Sequence, residues 1–207
     1  MEKTIYEVQA PVAVSNLWLA RHGQTDWNLQ GRWQGQSPNA PALNEAGQAQ
    51  ALAILDQVRE LDFSAIYSSD LLRARQTAEL LAGPLGLPVT HEPRLREMDL
   101  GLWEGMLYDD IRTQFPQEFA QRARDPMNMR APCGESPLDV AERVLPAMDE
   151  IAARHPGEPV LIVSHGISLA ILACHARGVP LDCVYEHVPD NAKLYHVKWK
   201  ISYKFTI

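Results

Sequence analysis

The chain has 207 residues, 46% of them hydrophobic and 22% charged, and its 19 Lys+Arg against 26 Asp+Glu give a formal net charge of −7. That balance excludes disordered, collagen-like and disulfide-scaffold classes, and a chain of this length makes one domain that buries roughly 70% of its unfolded surface. A pI near 5.5 argues against nucleic acid as a partner, but leaves room for a small anion held by a few focused arginines.

Residues 1–15 read as a loosely held arm without the apolar stretch of a secretion signal. No apolar run approaches the ~20 residues of a membrane span. Cys133, Cys174 and Cys183 form no CxxC pair and fit a reducing compartment, so a cytoplasmic protein is expected. Leu17 to Ala20 reads as a buried strand that stops at Arg21-His22-Gly23, and a loop rich in Gly, Gln, Asn and Pro follows to Ala42. Asn44 is the expected N-cap of a helix to about Leu61, with Leu52, Leu55 and Val58 inward. Ala65–Ser68 predicts a second strand, Leu71–Ala82 a helix closed by Gly83, and Pro88–Thr90 a third strand.

From Glu92 to Pro132 the pattern is irregular, with helix signals around Asp109 to Phe119. Ser136-Pro137-Leu138-Asp139 then combines a cap, a first-position proline and an acid three residues on, starting a helix towards His155. Pro146 lies inside it, where a kink or break is expected. Val160–Val163 is a second strongly apolar strand and ends at Ser164-His165-Gly166; Ile167–Ala176 predicts a helix, and Ala192–Lys198 a last strand. Strands alternating with helices predict an α/β fold around a mainly parallel sheet.

The doubling is the informative feature, since two apolar strands each run into His-Gly. Ligands of open α/β sheets sit outside the carboxyl ends of the strands near a topological switch point, so parallel central strands would bring His22 and His165 to one edge. Each glycine lets the backbone approach a bound group, and the helix after Gly166 would aim free N–H groups at an anion. Two histidines with arginines suit phosphoryl transfer, because neutral imidazole attacks phosphorus and guanidinium forks match phosphate oxygens. Arg21 is one such arginine. Arg73 and Arg75 lie about 200° apart on a helix, so only one of them can face the site. A His–His metal site is the competing reading; it would need carboxylate or further His partners, and the histidine next to Arg21 would share that cation with the metal.

At this point LARHGQTDWNLQGRWQG, SSDLLRARQTA, LREMDLGLWEG, CGES and VLIVSHG, in that order, resemble the histidine phosphatase superfamily, the group that includes cofactor-dependent phosphoglycerate mutases. The resemblance covers residues 17 to 200 and implies a three-layer α/β/α, phosphoglycerate mutase-like fold in a single domain over 1–207. It also implies His22 as the nucleophile that becomes phosphohistidine, Arg21 and Arg73 as phosphate clamps, and His165 as a second pocket histidine. Asn28 and Gly166 would contact the phosphate, and Glu97 would protonate the leaving oxygen. Glu104 is given a structural role, and Gln24 stands where many relatives carry Glu. The expected substrate is a small phosphorylated metabolite, with no metal, no cofactor and no membrane partner.

An alkoxide leaves phosphorus poorly, so a positioned acid is needed and typically contributes ~10²–10⁴-fold. His22 must stay neutral, its other nitrogen's proton held by an acceptor that the sequence does not identify. Mutases of the resembled group carry a longer insertion after the WEG motif; here Met106 to Gly134 is 29 residues, and Asn and Arg are missing after Ser164-His165-Gly166, which favours hydrolysis. The alternatives are a cofactor-dependent phosphoglycerate mutase and a noncatalytic phosphate-binding member. Residues 106–132 read either as a substrate cap, with one of Arg112, Arg122, Arg124 or Arg130 touching a second anionic group, or as ordinary helix with an apolar inner face.

Overall fold

The computed structural model describes residues 14–201. Five strands form one sheet in the order β3-β2-β4-β1-β5. They are β1 (Val14–Arg21), β2 (Ala65–Ser68), β3 (Val89–His91), β4 (Pro159–Ser164) and β5 (Leu194–Lys200). The first four are parallel, and β5 closes one edge antiparallel to β1. Period-two alternation explains why both faces are covered. Leu17, Leu19, Val160 and Ile162 point to one core, with α6 (Pro137–Arg154) and α7 (Gly166–Arg177) over it. Ala20, Ile66, Leu161 and Val163 point to the other, under α2 (Glu45–Val58) and α3 (Leu72–Leu85). This is the expected three-layer α/β/α architecture. Among the described residues no helix is long and apolar enough to cross a membrane.

The chain leaves β1 towards β2 and leaves β4 towards β5, in opposite directions from neighbouring strands. That is the switch point of an open α/β sheet, where a crevice forms beyond the strand ends. Register then fixes the site, because Arg21 pairs with Ser164, so the residues that follow, His22 and His165, emerge side by side.

Several local expectations need correction. Of the expected arm, residues 1–13 lie outside the described residues, but Val14 and Ser15 belong to β1, and Ser15 Oγ donates to the Ala152 carbonyl at 2.9 Å. The loop after His22 contains a short helix, α1 (Asp26–Leu29), capped reciprocally by Thr25 and Asn28. In α2 the cap Asn44 is as expected, but Ile54 faces inward in place of Leu52, which is exposed. Helix α3 runs past Gly83 through Pro84 and closes at Gly86, whose φ of 67° is the left-handed conformation that a helix C-terminus needs. Helix α6 does not break at Pro146. The residue is on the exposed face, as is Glu142, so water can serve the carbonyl that loses its partner. Two further helices, α4 (Tyr108–Gln114) and α5 (Pro116–Arg124), fill the irregular stretch.

One close backbone approach binds the layers to the site. A Cβ on Gly47 in α2 would stand 2.0 Å from the Gln24 carbonyl oxygen, and one on Gly23 would stand 2.3 Å from that of Gly47. Gly47→Ala is therefore expected to lower stability by about 3 kcal/mol in urea denaturation, against about 1 kcal/mol for losing the α6 cap in Ser136→Ala. Equal effects would show that the contact is slack.

Candidate active site

His22 is 2% exposed and follows β1 directly, its backbone N–H donating to the Ser164 carbonyl at 3.0 Å. Its Nδ1 lies 2.7 Å from the carbonyl oxygen of Gly23. A carbonyl only accepts, so Nδ1 carries the proton. Arg73 Nε donates to His22 Nε2 at 3.2 Å, which requires a lone pair there. The two contacts specify the same tautomer, and Gly23 is the acceptor that sequence could not identify. Burial, then the Arg73 and Arg21 guanidinium groups, hold the His22 pKa well below its ordinary value.

Both arginines arrive by fold geometry. Arg73 is buried on the first turn of α3, and its terminal nitrogen donates to the Gly35 carbonyl at 2.9 Å; burial pushes its pKa down to about 10, still a cation at neutral pH. Arg75 is turned outward and pairs with Glu79 at 3.6 Å, which resolves the choice between the two. Arg21 donates to the Pro189 carbonyl, while its buried Nε meets no partner among the described residues. Glu104 accepts from the Gln36 N–H at 2.6 Å and so anchors the turn that carries Gly35, in keeping with its structural reading. Burial raises the Glu104 pKa.

His165 is fully buried, its ring centroid 5.2 Å from that of His22. Its Nε2 is 2.8 Å from Ser69 Oγ, and Nδ1 has no partner among the described residues. The Leu71 N–H donates to Ser69 Oγ at 3.2 Å, leaving the hydroxyl proton free to point at the imidazole. Burial and then Arg73 lower the His165 pKa well below the ordinary value. Ser69 was missed in the sequence although it follows β2 just as the two histidines follow their strands. Asn191, also missed, donates to the His22 carbonyl at 3.1 Å and to Asn28 Oδ1 at 3.3 Å; no sequence pattern marks it.

Glu97 sits across the cavity. Its Oε1 accepts from the Met98 N–H at 2.9 Å and the Ile167 N–H at 3.1 Å. The anion expected at the start of α7 is thus, in this state, the protein's own carboxylate. Gly166 makes the fit possible, since a Cβ there would lie 3.2 Å from Glu97 Oε2. Arg143 fixes the backbone behind it, donating to the carbonyls of Arg94, Arg96 and Glu97 at 2.7, 2.8 and 2.9 Å. Asn28 Oδ1 accepts from the Thr25 N–H at 3.1 Å as well as from Asn191, so its amide nitrogen is the end left for a ligand.

A cavity of about 410 Å³ gathers Arg21, His22, Asn28, Arg73 and Glu97 on its inner wall. His165 and Gly166 are not among the residues that line it. Trp33, Tyr108, Arg122 and Tyr185 form the outer part. No group of three or more His, Cys, Asp or Glu side chains among the described residues is placed to hold a metal ion.

The model of the histidine phosphatase superfamily (branch 1) matches residues 17–204, and the chain belongs to that family. Phosphoserine phosphatase 1 of Hydrogenobacter thermophilus is 34% identical over 176 residues, 85% of this chain and 82% of that protein. The protein named "Probable phosphoglycerate mutase GpmB" of Erwinia tasmaniensis is 37% identical over 164 residues, 79% of this chain and 75% of that one. The solved structure of the mycobacterial glucosyl-3-phosphoglycerate phosphatase is 34% identical, covers 88% of this chain and 90% of its own, and superposes with a TM-score of 0.79.

Neutral, buried histidines make stability depend on pH with a fixed sign. Folded His22 binds fewer protons than unfolded His22 below about pH 6.5, so stability is full above that value and falls as pH drops towards the lowered folded pKa. Urea midpoints of the wild type are expected to fall more between pH 7 and pH 5 than those of His22→Ala. Parallel losses would mean that the imidazole is protonated when folded.

Proposed function

We propose that the chain is a metal-independent phosphomonoesterase in which His22 Nε2 takes the phosphoryl group of a small metabolite and passes it to water. Family membership carries histidine-phosphatase chemistry on small phosphorylated metabolites in general terms. The observation that carries the finer reading is the His22 Nε2 lone pair, which accepts from buried Arg73 at the wall of a cavity that Arg21 also lines.

The substrate phosphate enters between Arg21 and Arg73 and displaces the Arg73 Nε contact, freeing the lone pair. Nε2 forms the N–P bond as the bond from phosphorus to the ester oxygen breaks. Glu97 gives a proton to the departing oxygen in this step. His165, with Nε2 accepting from Ser69, directs an Nδ1–H at the transferring group, and Asn28 donates its amide. Charge that builds on the phosphoryl oxygens is met by the two arginines, positioned before the reaction starts. Glu97, now a carboxylate, then takes a proton from water as its oxygen attacks phosphorus and the N–P bond breaks.

Returning the phosphoryl group to a metabolite hydroxyl would use the same residues, and a relative named as a mutase keeps that alternative in view. The short segment between Gly105 and Glu135, filled by α4 and α5, supports water as the acceptor. The 106–132 segment is read as a cap over the cavity, because it supplies Tyr108 and Arg122 to the outer wall.

Turnover of p-nitrophenyl phosphate in EDTA tests the proposal, with His22→Ala expected to lower kcat by about 10³-fold or more. Activity that requires added metal, or a bisphosphoglycerate-primed mutase reaction alone, would overturn it. Glu97→Gln is expected to cost ~10²–10⁴-fold on alkyl phosphates and much less on p-nitrophenyl phosphate, whose leaving group needs little protonation. Equal losses on both would remove Glu97 from the acid role.

A further inference from the structure

Phosphoryl transfer gives no task to the CGES stretch, although that stretch precedes α6 at the edge of the site. Its Glu135 accepts from Arg143 of α6 through both carboxylate oxygens, at 2.9 Å from Nε and 2.8 Å from a terminal nitrogen. A guanidinium carries five N–H donors in a rigid fork. The other three reach backbone carbonyls, those of Arg94 and Arg96 from one terminal nitrogen and that of Glu97 from the other. Every donor of Arg143 thus has its own acceptor within the protein, and Arg143 does not line the cavity. It is built to hold chain, not ligand.

The chain it holds is the segment that carries Glu97, irregular from Arg96 to Leu100 and outside the sheet. Side chains from elsewhere replace the missing ladder. The Leu95 carbonyl accepts from Ser164 at 2.7 Å, that of Arg96 also from Ser168 at 2.6 Å, and that of Glu97 also from Gln36 at 3.0 Å. Glu135 holds the same segment two residues further on. Its Oε2 accepts from the Asp99 N–H at 2.9 Å, and its own N–H donates to the Asp99 carbonyl at 2.8 Å. We propose that Arg143, oriented by Glu135, is the positioning residue of the acid, setting where Glu97 presents its carboxyl to the departing oxygen. The proposal rests on the reading of Glu97 as the acid of a phosphatase. Distance is the physical basis, because a misplacement of about 1 Å can cost ~10²-fold in rate. A group on irregular chain keeps its geometry only through the hydrogen bonds behind it. Lysine cannot stand in for the fork, since donors on a single nitrogen do not span Glu135 and three carbonyls.

The test compares Arg143→Lys with wild type on glycerol 3-phosphate, whose leaving group needs a proton, and on p-nitrophenyl phosphate, whose leaving group needs little. The expected loss in kcat is about 10- to 100-fold on the first and less than about threefold on the second. Glu135→Gln, which keeps the size of the side chain but turns an amide N–H₂ towards the fork, should lose in the same sense. In the Glu97→Gln background, Arg143→Lys should cost less than about twofold on glycerol 3-phosphate, because no acid is left to misplace. Amide hydrogen exchange gives a readout without turnover. The Met98 and Ile167 N–H groups, which donate to Glu97, should exchange at least about tenfold faster in Arg143→Lys, and the His22 N–H at its wild-type rate. Equal losses on the two substrates, no loss on either, a full effect in the Glu97→Gln background, or unchanged exchange at Met98 and Ile167 would overturn the proposal. If wild type hydrolyses neither substrate but exchange changes as stated, the phosphatase reading fails and the positioning of Glu97 by Arg143 stands.

Discussion

The whole site depends on keeping one imidazole neutral, with burial and two guanidinium groups outweighing the Gly23 carbonyl, which favours the charged form. Burial removes the water that would solvate an imidazolium, and two guanidinium groups repel one. The Gly23 carbonyl at 2.7 Å then assigns the remaining proton to Nδ1, and Arg73 points a donor at Nε2. The state of His22 is thus set by burial, by Arg21 and Gly23 on either side of it in the chain, and by Arg73 from α3. In the proposed reaction the same cations that suppress protonation also bind the phosphate dianion, so one arrangement of charge would serve the resting state and the reaction.

That arrangement follows from the sheet. Neighbouring β1 and β4 send the chain in opposite directions, which opens the crevice, and their register makes Arg21 and Ser164 opposite one another. β2 ends at the same edge and delivers Ser69 to His165, while α3 begins a few residues later and delivers Arg73. The approach of α2 through Gly47 braces the turn after His22. Glu97 comes from outside these repeats, on a segment held by Arg143 and by the N–H of Ile167.

Much of this was legible in the residues. Alternation in the apolar strands, the Ser136 cap and the paired His-Gly endings depend on local sequence and on the sheet rule, and those features stand as expected. The misreadings arose where tertiary context decides. Gly83 resembled a helix stop, but the chain continues because the left-handed position is needed only at Gly86. Pro146 resembled a break, but lies on the wet side of α6. The acceptor for His22 was hidden because it is a backbone carbonyl, which no side-chain pattern reports. Asn191, in a turn, and Tyr185, in a 3₁₀ helix over Leu181–His187, were hidden because they lie far from the motifs, and only the folded cavity shows why Arg122 differs from the other three arginines of its segment.

The central claim is that phosphorus is carried for a time on one nitrogen near the start of the chain. Rapid quenching during turnover of ³²P-labelled substrate, followed by peptide mapping, measures it directly. Label that is acid-labile, base-stable, confined to His22 and formed and lost as fast as kcat is the predicted result. Turnover that proceeds with no labelled protein, or with label on another residue, would contradict the account.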